Sequence, residues 1–181
     1  YRELYETIAG WSEPRQQEVL DVALRSRTRR DDLLREFRGS LYVYDIVMAI
    51  GASRDMPRHR RCVQARQDFT SALGYETPAL LEEAGCSAEY TTAVETSLAI
   101  AESFPAPGSH YLFPFACRSR FLFKMDFAEA EYISRLRSGV KGHFSYRQVA
   151  WRMKEEMEKL EPVLGRLIQA TPPWIEDPLT R

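Results

Sequence analysis

Two stretches of the chain carry the hydrophobic pattern of β-strands. From position 40 to 50 the sequence SLYVYDIVMAI is apolar on both of its alternating faces apart from Asp45, which predicts a strand covered on both sides. From position 117 to 125 the side chains alternate, with Arg118 and Arg120 on the less apolar face. This alternation predicts a second strand with one basic face.

Helical patterns occupy most of the rest. Helix formers from position 13 to 37 predict one long helix, or two helices broken near Arg27 to Arg30. A Pro-started segment at 78–84 and an apolar stripe at 88–104 predict two further helices. These elements sum to an α+β domain, because strands and helices do not alternate as they do in a parallel sheet.

The C-terminal third contains two predicted helix starts. Asp126 with Glu129 three residues later forms a capping box for a helix that runs to Gly139. Ser145 with Gln148 repeats the pattern and predicts the start of a long final helix. Pro162 is expected to kink or end that helix. Its expected buried stripe consists of Val149, Met153, Met157, Leu160 and Leu164.

Length and composition limit the class of protein. The 181 residues, 44% of them hydrophobic, are enough for one domain with a core. We therefore treat 1–181 as a single domain, excised or from a tandem protein, with a tail at 170–181. A formal net charge of −1 gives no overall field for nucleic acid or anionic membranes, so neither is an expected partner.

Three cysteines without metal-ligand or paired spacing favour a reducing, cytoplasmic setting and indicate no metal site. No apolar stretch is long enough to cross a membrane. The sequence also contains no glycine-rich phosphate loop and no GxSxG or HExxH motif. The familiar routes of nucleotide hydrolysis are therefore not expected.

Two basic clusters are candidates for chemistry. Arg58, His59, Arg60 and Arg61 follow a turn limited by Pro57, and guanidiniums in that density suit phosphate or a planar carbonyl edge. A solvated surface run is the alternative. Arg137 ends a predicted helix, where it either complements the helix dipole or points into a cleft.

With these clusters in place, the chain resembles the flavin-dependent thymidylate synthases, which methylate deoxyuridylate with FAD and methylenetetrahydrofolate. Their Arg-His-Arg hallmark follows a long strand and a short helix, as Arg58-His59-Arg60 follows SLYVYDIVMAI here. Phe113-Pro114, Arg120 and Leu136-Arg137 match the family's Leu-Pro, strand Arg and Leu-Arg without gaps. The resemblance covers about positions 37 to 157.

The resemblance implies an antiparallel sheet flanked by helices, assembled as a homotetramer or dimer with sites between subunits. It implies FAD, with NADPH and methylenetetrahydrofolate as co-substrates, and a pyrimidine nucleotide and folate as partners. Arg137 would polarise the uracil as the catalytic residue. The flavin would be held by Arg58, His59, Arg60, Asp126 and Leu136, and the substrate by Arg66, Asp68 and His110.

Several motif positions of the family carry a different residue in this chain, and they are Gly39, Asp55, Ala65, Arg66, Asp68, Thr70, His110 and Asp126. Acids at positions 55 and 68 would repel a nucleotide phosphate by about 1 kcal/mol or more. Three interpretations follow: half of a tandem enzyme, an enzyme with a changed substrate, or a catalytically inactive domain that serves as a flavin-binding or oligomerisation partner.

Overall fold

The protein is an α+β domain built around a small antiparallel sheet, as predicted. The structure, a computed structural model, describes residues 1–179. Its three strands are β1 (Leu41–Ala49), β2 (Val63–Arg66) and β3 (Arg118–Asp126), in the order β1-β3-β2. Both expected strands are confirmed. The short strand β2 was not predicted, because the basic run before it dominates its pattern.

Eight helices occur in the described residues. They are α1 (Arg2–Ala9), α2 (Glu13–Ala23), α3 (Ile50–Ser53), α4 (Ala79–Glu83), α5 (Ser87–Ser103), α6 (Phe127–Arg137), α7 (Phe144–Leu160) and α8 (Pro162–Gly165). Three short 3₁₀ turns are interspersed at Arg35–Arg38, Met56–Arg58 and Gly108–Tyr111. The prediction of one helix or a helix pair over 13–37 is correct up to Ala23 and wrong beyond it.

The reason that α2 ends early lies in local hydrogen bonds and one buried ion pair. Asp31 accepts from the Thr28 amide and hydroxyl, each at 2.7 Å, and this turn competes with helix. Arg27 is then free to enter the interior, where its guanidinium lies 2.8 Å from the buried Glu131 carboxylate of α6. In a continuous helix the Thr28 amide would bond to the Leu24 carbonyl oxygen, so its bond to Asp31 takes the place of a helical bond.

One face of the sheet forms the core. Phe121, Phe123 and Met125 of β3 are almost fully buried, and α6 and α7 contribute Ile133 and Met153 to the same cluster. The predicted alternation of β3 is thus confirmed. The other sheet face is not covered by the described residues, which corrects the expectation that β1 is buried on both sides. Its exposed apolar side chains are Leu41, Val43, Val47, Val63 and Leu122.

The predicted start is correct for α6 but not for α7. Asp126 caps α6 by accepting from the Glu129 amide at 2.8 Å, as predicted. Helix α7 begins earlier than expected, because His143 is its N-cap and accepts from the Ser145 amide. Met153 and Met157 are buried on α7, but Leu160 is 67% exposed at the helix end and does not belong to the stripe.

The C-terminal segment is held by one buried arginine of α7. Arg147 donates to the carbonyl oxygens of Ser138 at 3.1 Å, Pro172 at 3.2 Å and Ile175 at 2.8 Å. The tail expected at 170–181 is therefore anchored through position 175, and residues 180–181 lie outside the described residues. A charged group buried against carbonyl oxygens is stabilising only while those bonds are made.

We expect Arg147→Met to lower the free energy of unfolding by about 2–4 kcal/mol, because three carbonyl groups lose a charged donor. Arg152→Met is the control, since Arg152 is exposed on the same helix and its loss is expected to cost less than about 0.5 kcal/mol. Urea unfolding followed by circular dichroism measures both. Equal stability of the two variants would contradict the anchoring of the tail.

Candidate functional site

The Arg-His-Arg-Arg cluster lies in a loop between α3 and β2, here called the motif loop (residues 55–61). Its short 3₁₀ turn contains Pro57 and ends at Arg58. Two of the four residues contact α6: His59 is only 4% exposed, and Arg61, although 44% exposed, is ion-paired to Asp126 at the start of the helix. Arg58 and Arg60 are exposed. The four residues therefore divide into two that hold the loop and two that face outward.

His59 and Arg137 are in direct contact. The Nε of Arg137 donates to Nε2 of His59 at 2.9 Å. His59 is thus an acceptor at Nε2, so its proton lies on Nδ1, which faces the Glu129 carboxylate at 3.6 Å. The two basic clusters that are 78 residues apart in sequence meet at this bond.

Arg137 makes two further contacts with the motif loop. Its Nη2 donates to the backbone oxygen of Asp55 at 2.8 Å, and its Nη1 lies 3.4 Å from the Asp55 carboxylate. The side chain also lies over Tyr146, with its guanidinium carbon 5.8 Å from the ring centre. Arg137 is 14% exposed as a side chain. The last turn of α6 therefore fixes the start of the motif loop.

The other end of the loop is bound to the first turn of α6. Arg61 donates to both carboxylate oxygens of Asp126, at 3.1 and 2.7 Å, and lies 3.5 Å from the buried Glu129. Positions 126, 129 and 137 are separated by three and eight residues, so they share one face of the helix. Ion pairs therefore join the motif loop to both the first and the last turn of α6.

The outward side of this arrangement is a cavity of about 790 Å³. Pro57, Tyr132 and Leu136 form part of its less polar lining. The basic groups around it are Arg38, Arg58, His59, Arg60, Arg61 and Arg137, against the two acids Asp32 and Glu129. An excess of guanidiniums in one concave site favours an anionic ligand.

Two of these cations are free to meet a ligand. Arg38 and Arg60 are exposed, and neither makes a side-chain hydrogen bond or ion pair with any part of the chain that the structure describes. Arg38 was not predicted as a site residue, because it lies in a mixed-charge stretch before β1. The signal that points to it is tertiary, since the turn at Arg35–Arg38 packs against α6.

The predicted site residues fall into two groups. The structure places Arg58, His59, Arg60, Leu136 and Arg137 around the 790 Å³ cavity, while Asp126 lies beside it, bound to Arg61. The predicted substrate residues form a separate cluster around Phe69, which does not line that cavity. The Arg66 guanidinium lies 4.4 Å and the His110 ring 5.5 Å from the Phe69 ring centre. Asp68 is exposed next to them.

Cys62 follows the motif loop directly but is not suited to nucleophilic chemistry at neutral pH. Its residue is 8% exposed, and burial, together with the nearby Glu129 carboxylate, raises the pKa of the Cys62 thiol to about 11. The thiolate is the nucleophilic form of cysteine. No group of three or more potential metal ligands occurs among residues 1–179, and no described helix is long and apolar enough to cross a membrane.

An arginine-rich concave site on an α+β domain is typical of proteins that bind phosphorylated ligands. A comparison with known proteins identifies the family to which the chain belongs. The sequence pattern of the family described as thymidylate synthase complementing protein matches residues 11–163, most of the chain. The chain belongs to this family.

Individual relatives carry only a general name. The chain is 32% identical to a UPF0159 protein of Thermoplasma acidophilum over 148 residues, which is 79% of this chain and 30% of the relative. It is 34% identical to a UPF0159 protein of Chlamydia muridarum over 149 residues, which is 80% of this chain and 28% of the relative. The chain thus spans less than a third of the length of these curated relatives.

At pH 8 we expect iodoacetamide to label Cys86, which is exposed, at least about a hundredfold faster than Cys62. The raised pKa of the Cys62 thiol reduces its thiolate fraction by about two orders of magnitude at that pH. Peptide mass spectrometry after timed quenching measures both rates. The control is labelling in urea, where the two rates are expected to converge. Rapid labelling of native Cys62 would contradict the pKa and burial described here.

Proposed function

We propose that this chain is a flavin-dependent thymidylate synthase-type domain, which takes part in methyl transfer to a uridylate-type pyrimidine nucleotide. The observation that carries the proposal is the 790 Å³ cavity, around which Arg58, Arg60 and Arg137 converge from distant parts of the sequence. Family membership supports a thymidylate synthase-like function. The flavin, the folate and the nature of the nucleotide belong to the proposal.

The residues present fit the phosphate portion of a flavin dinucleotide. Arg38 and Arg60 offer guanidiniums that are not engaged by other described side chains, and Arg58 is 77% exposed beside them. Planar guanidiniums bind phosphate oxygens in pairs. Tyr132 and Leu136 provide a less polar wall for a ring system. Bound FAD would supply the redox chemistry, with NADPH and methylenetetrahydrofolate as the expected co-substrates.

Arg137 is the proposed catalytic residue. Its guanidinium is held by His59 and by the Asp55 backbone, so it does not need to reorganise when a substrate binds. A preorganised cation next to a uracil carbonyl would draw electron density from the ring and favour attack at C6. This role needs no cysteine nucleophile, which agrees with the raised pKa of Cys62.

A second candidate function is that of an inactive partner domain. It is favoured by the separation of the Arg66, Asp68 and His110 cluster from the cavity that contains Arg137. It is also favoured by the altered family positions at both places. In this alternative the chain would bind flavin or a partner, and the missing contacts would come from another domain.

The uncovered sheet face supports assembly with a second copy of the chain. Its exposed apolar positions are Leu41 at 66%, Val43 at 57%, Val47 at 48%, Val63 at 66% and Leu122 at 42%. Leu122 lies on the central strand, between Asp45 of β1 and Ala65 of β2. Burying such a face contributes about 25 cal/mol per Å² of apolar surface. We propose that the sheets of two copies pack face to face.

The flavin proposal predicts that the purified protein is yellow or takes up added FAD with a shifted visible spectrum. Arg60→Gln is expected to weaken FAD binding by about tenfold or more, because it removes one charged contact to phosphate. Arg166→Gln, an exposed arginine outside the cavity, is the control and should leave the affinity unchanged. Spectrophotometric titration measures all three proteins. A wild-type protein that takes up no FAD would reject the flavin function, and methylation of deoxyuridylate would reject the inactive alternative.

The assembly proposal predicts concentration-dependent self-association that depends on the outer sheet face. Leu122→Glu is expected to weaken it at least about tenfold, because a charge would be buried at the centre of the contact. Leu80→Glu changes a leucine that is 67% exposed on α4 and serves as the matched control. Sedimentation equilibrium measures the association constants. A monomeric wild-type protein, or equal weakening by both substitutions, would contradict the proposal.

A further inference from the structure

Asp55 lies beside Arg58, which lines two concave surfaces of the protein. It lies at the edge of the motif loop, and both Asp55 and Arg58 line a larger groove of about 1360 Å³ beside β1 and α7. Arg58 and Arg137 also line the 790 Å³ cavity. The Asp55 side chain is 32% exposed. Its carboxylate therefore reaches solvent next to two of the cations that an anionic ligand would contact.

The carboxylate of Asp55 is held loosely. It lies 3.4 Å from Nη1 of Arg137 and 3.7 Å from Nε of Arg58. Strong hydrogen bonds between guanidinium and carboxylate are about 2.7–2.9 Å, and Arg61 makes one of 2.7 Å with Asp126 in the same region. Asp55 thus neutralises two guanidiniums without the short contacts that would hold it in place.

The backbone of Asp55, and not its carboxylate, helps to position Arg137. Its carbonyl oxygen accepts from Nη2 of Arg137 at 2.8 Å, and His59 accepts from Nε at 2.9 Å. These two bonds fix Arg137 whether or not the side chain of residue 55 is charged. The position of the guanidinium and the charge beside it are therefore separable by mutation.

The two acids that line the 790 Å³ cavity are engaged with other residues. Glu129 is 3% exposed and lies against His59 and Arg61. Asp32 is paired with Arg135 at 3.2 Å. Asp55 is the carboxylate, within the described chain, that forms ion pairs with both Arg58 and Arg137.

We propose that Asp55 is a resident counter-ion that competes with the anionic group of the ligand for Arg58 and places a negative charge beside Arg137, and so determines how strongly phosphate-bearing ligands bind. This inference rests on the proposed function in one respect, that the cavity binds an anion. An entering phosphate either displaces the carboxylate or binds against its charge, and both lower the affinity. Asp55 acts through these guanidiniums and through its own field, which makes it a determinant of specificity.

The test compares an anionic probe and a neutral probe. Inorganic phosphate reports the charge effect, and riboflavin, which has no phosphate, reports changes in shape or packing. Asp55→Asn keeps a side-chain oxygen and removes the charge. Asp21→Asn is the matched control, because it changes the net charge equally at an exposed position on α2 whose carboxylate accepts from the Gln17 amide. Calorimetric titration at low ionic strength measures the affinities.

Asp55→Asn is expected to bind inorganic phosphate about three- to tenfold more tightly than the wild type, and the gain should shrink as salt is added. Asp21→Asn should equal the wild type, and riboflavin binding should be the same for all proteins. An unchanged phosphate affinity, absence of phosphate binding in every protein, or an equal gain for phosphate and riboflavin would overturn the proposal.

Two additional measurements separate the effect of charge from effects of side-chain shape or unfolding. Asp55→Glu retains the charge and is expected to leave phosphate binding at or below the wild-type level, so a gain in this variant also overturns the proposal. Thermal unfolding confirms that each variant is folded during the titration. Tighter phosphate binding by Asp55→Asn in a protein that takes up no FAD would reject the flavin function while supporting the role of Asp55.

Discussion

The hydrogen bond between Arg137 and His59 is the contact on which the site depends. It joins the last turn of α6 to a loop that follows β1 and α3, and so brings together two basic segments that would otherwise be unrelated. A histidine can fill this position because its neutral ring accepts at one nitrogen and donates at the other. The buried Glu129 faces the donor nitrogen and completes the arrangement. A second positive charge at His59 would oppose the bond.

This contact divides the motif into residues that attach the loop to α6 and residues that are not attached to it. His59 and Arg61 are used to attach the loop to α6, and their attachment directs Arg58 and Arg60 outward. Guanidiniums that face one cavity repel one another, and the acids near them reduce this repulsion. The deepest, Glu129, stabilises the attachment, whereas Asp55 lies at the surface where a ligand competes with it. A buried carboxylate therefore stabilises the attachment of the loop, whereas an exposed carboxylate affects ligand binding.

The separation of the two predicted site groups bears on how the protein works. Arg66 and His110 pack on Phe69, away from the cavity with Arg137. A site that needs both groups has to be formed with residues of another chain or domain. The uncovered outer face of the sheet, with its exposed apolar side chains, and the much greater length of the curated relatives agree with such an arrangement. Whether the missing residues come from another chain or from another domain, the described chain would contribute only part of the complete site.

Local patterns determined much of the fold. The alternation of β3, the apolar density of β1 and the Asp126 cap of α6 were readable because each depends on neighbouring residues in the chain. The same kind of reasoning failed at positions 24–34, where the buried pair of Arg27 with Glu131 competes with helix formation. It also missed β2, whose four residues are held by pairing with β3. A long-range partner decided β2, and a local turn together with a long-range ion pair decided the end of α2.

For the site, the sequence by itself determined which residues carry positive charge and where an anion was expected. Only the tertiary structure decided which of those charges are neutralised, since ion pairs such as those of Arg61 and Arg137 form between segments far apart in sequence. It likewise identified Arg38 as a cavity residue. The physical reason is that the availability of a charge depends on what surrounds it in space, and the order of residues along the chain does not specify those surroundings.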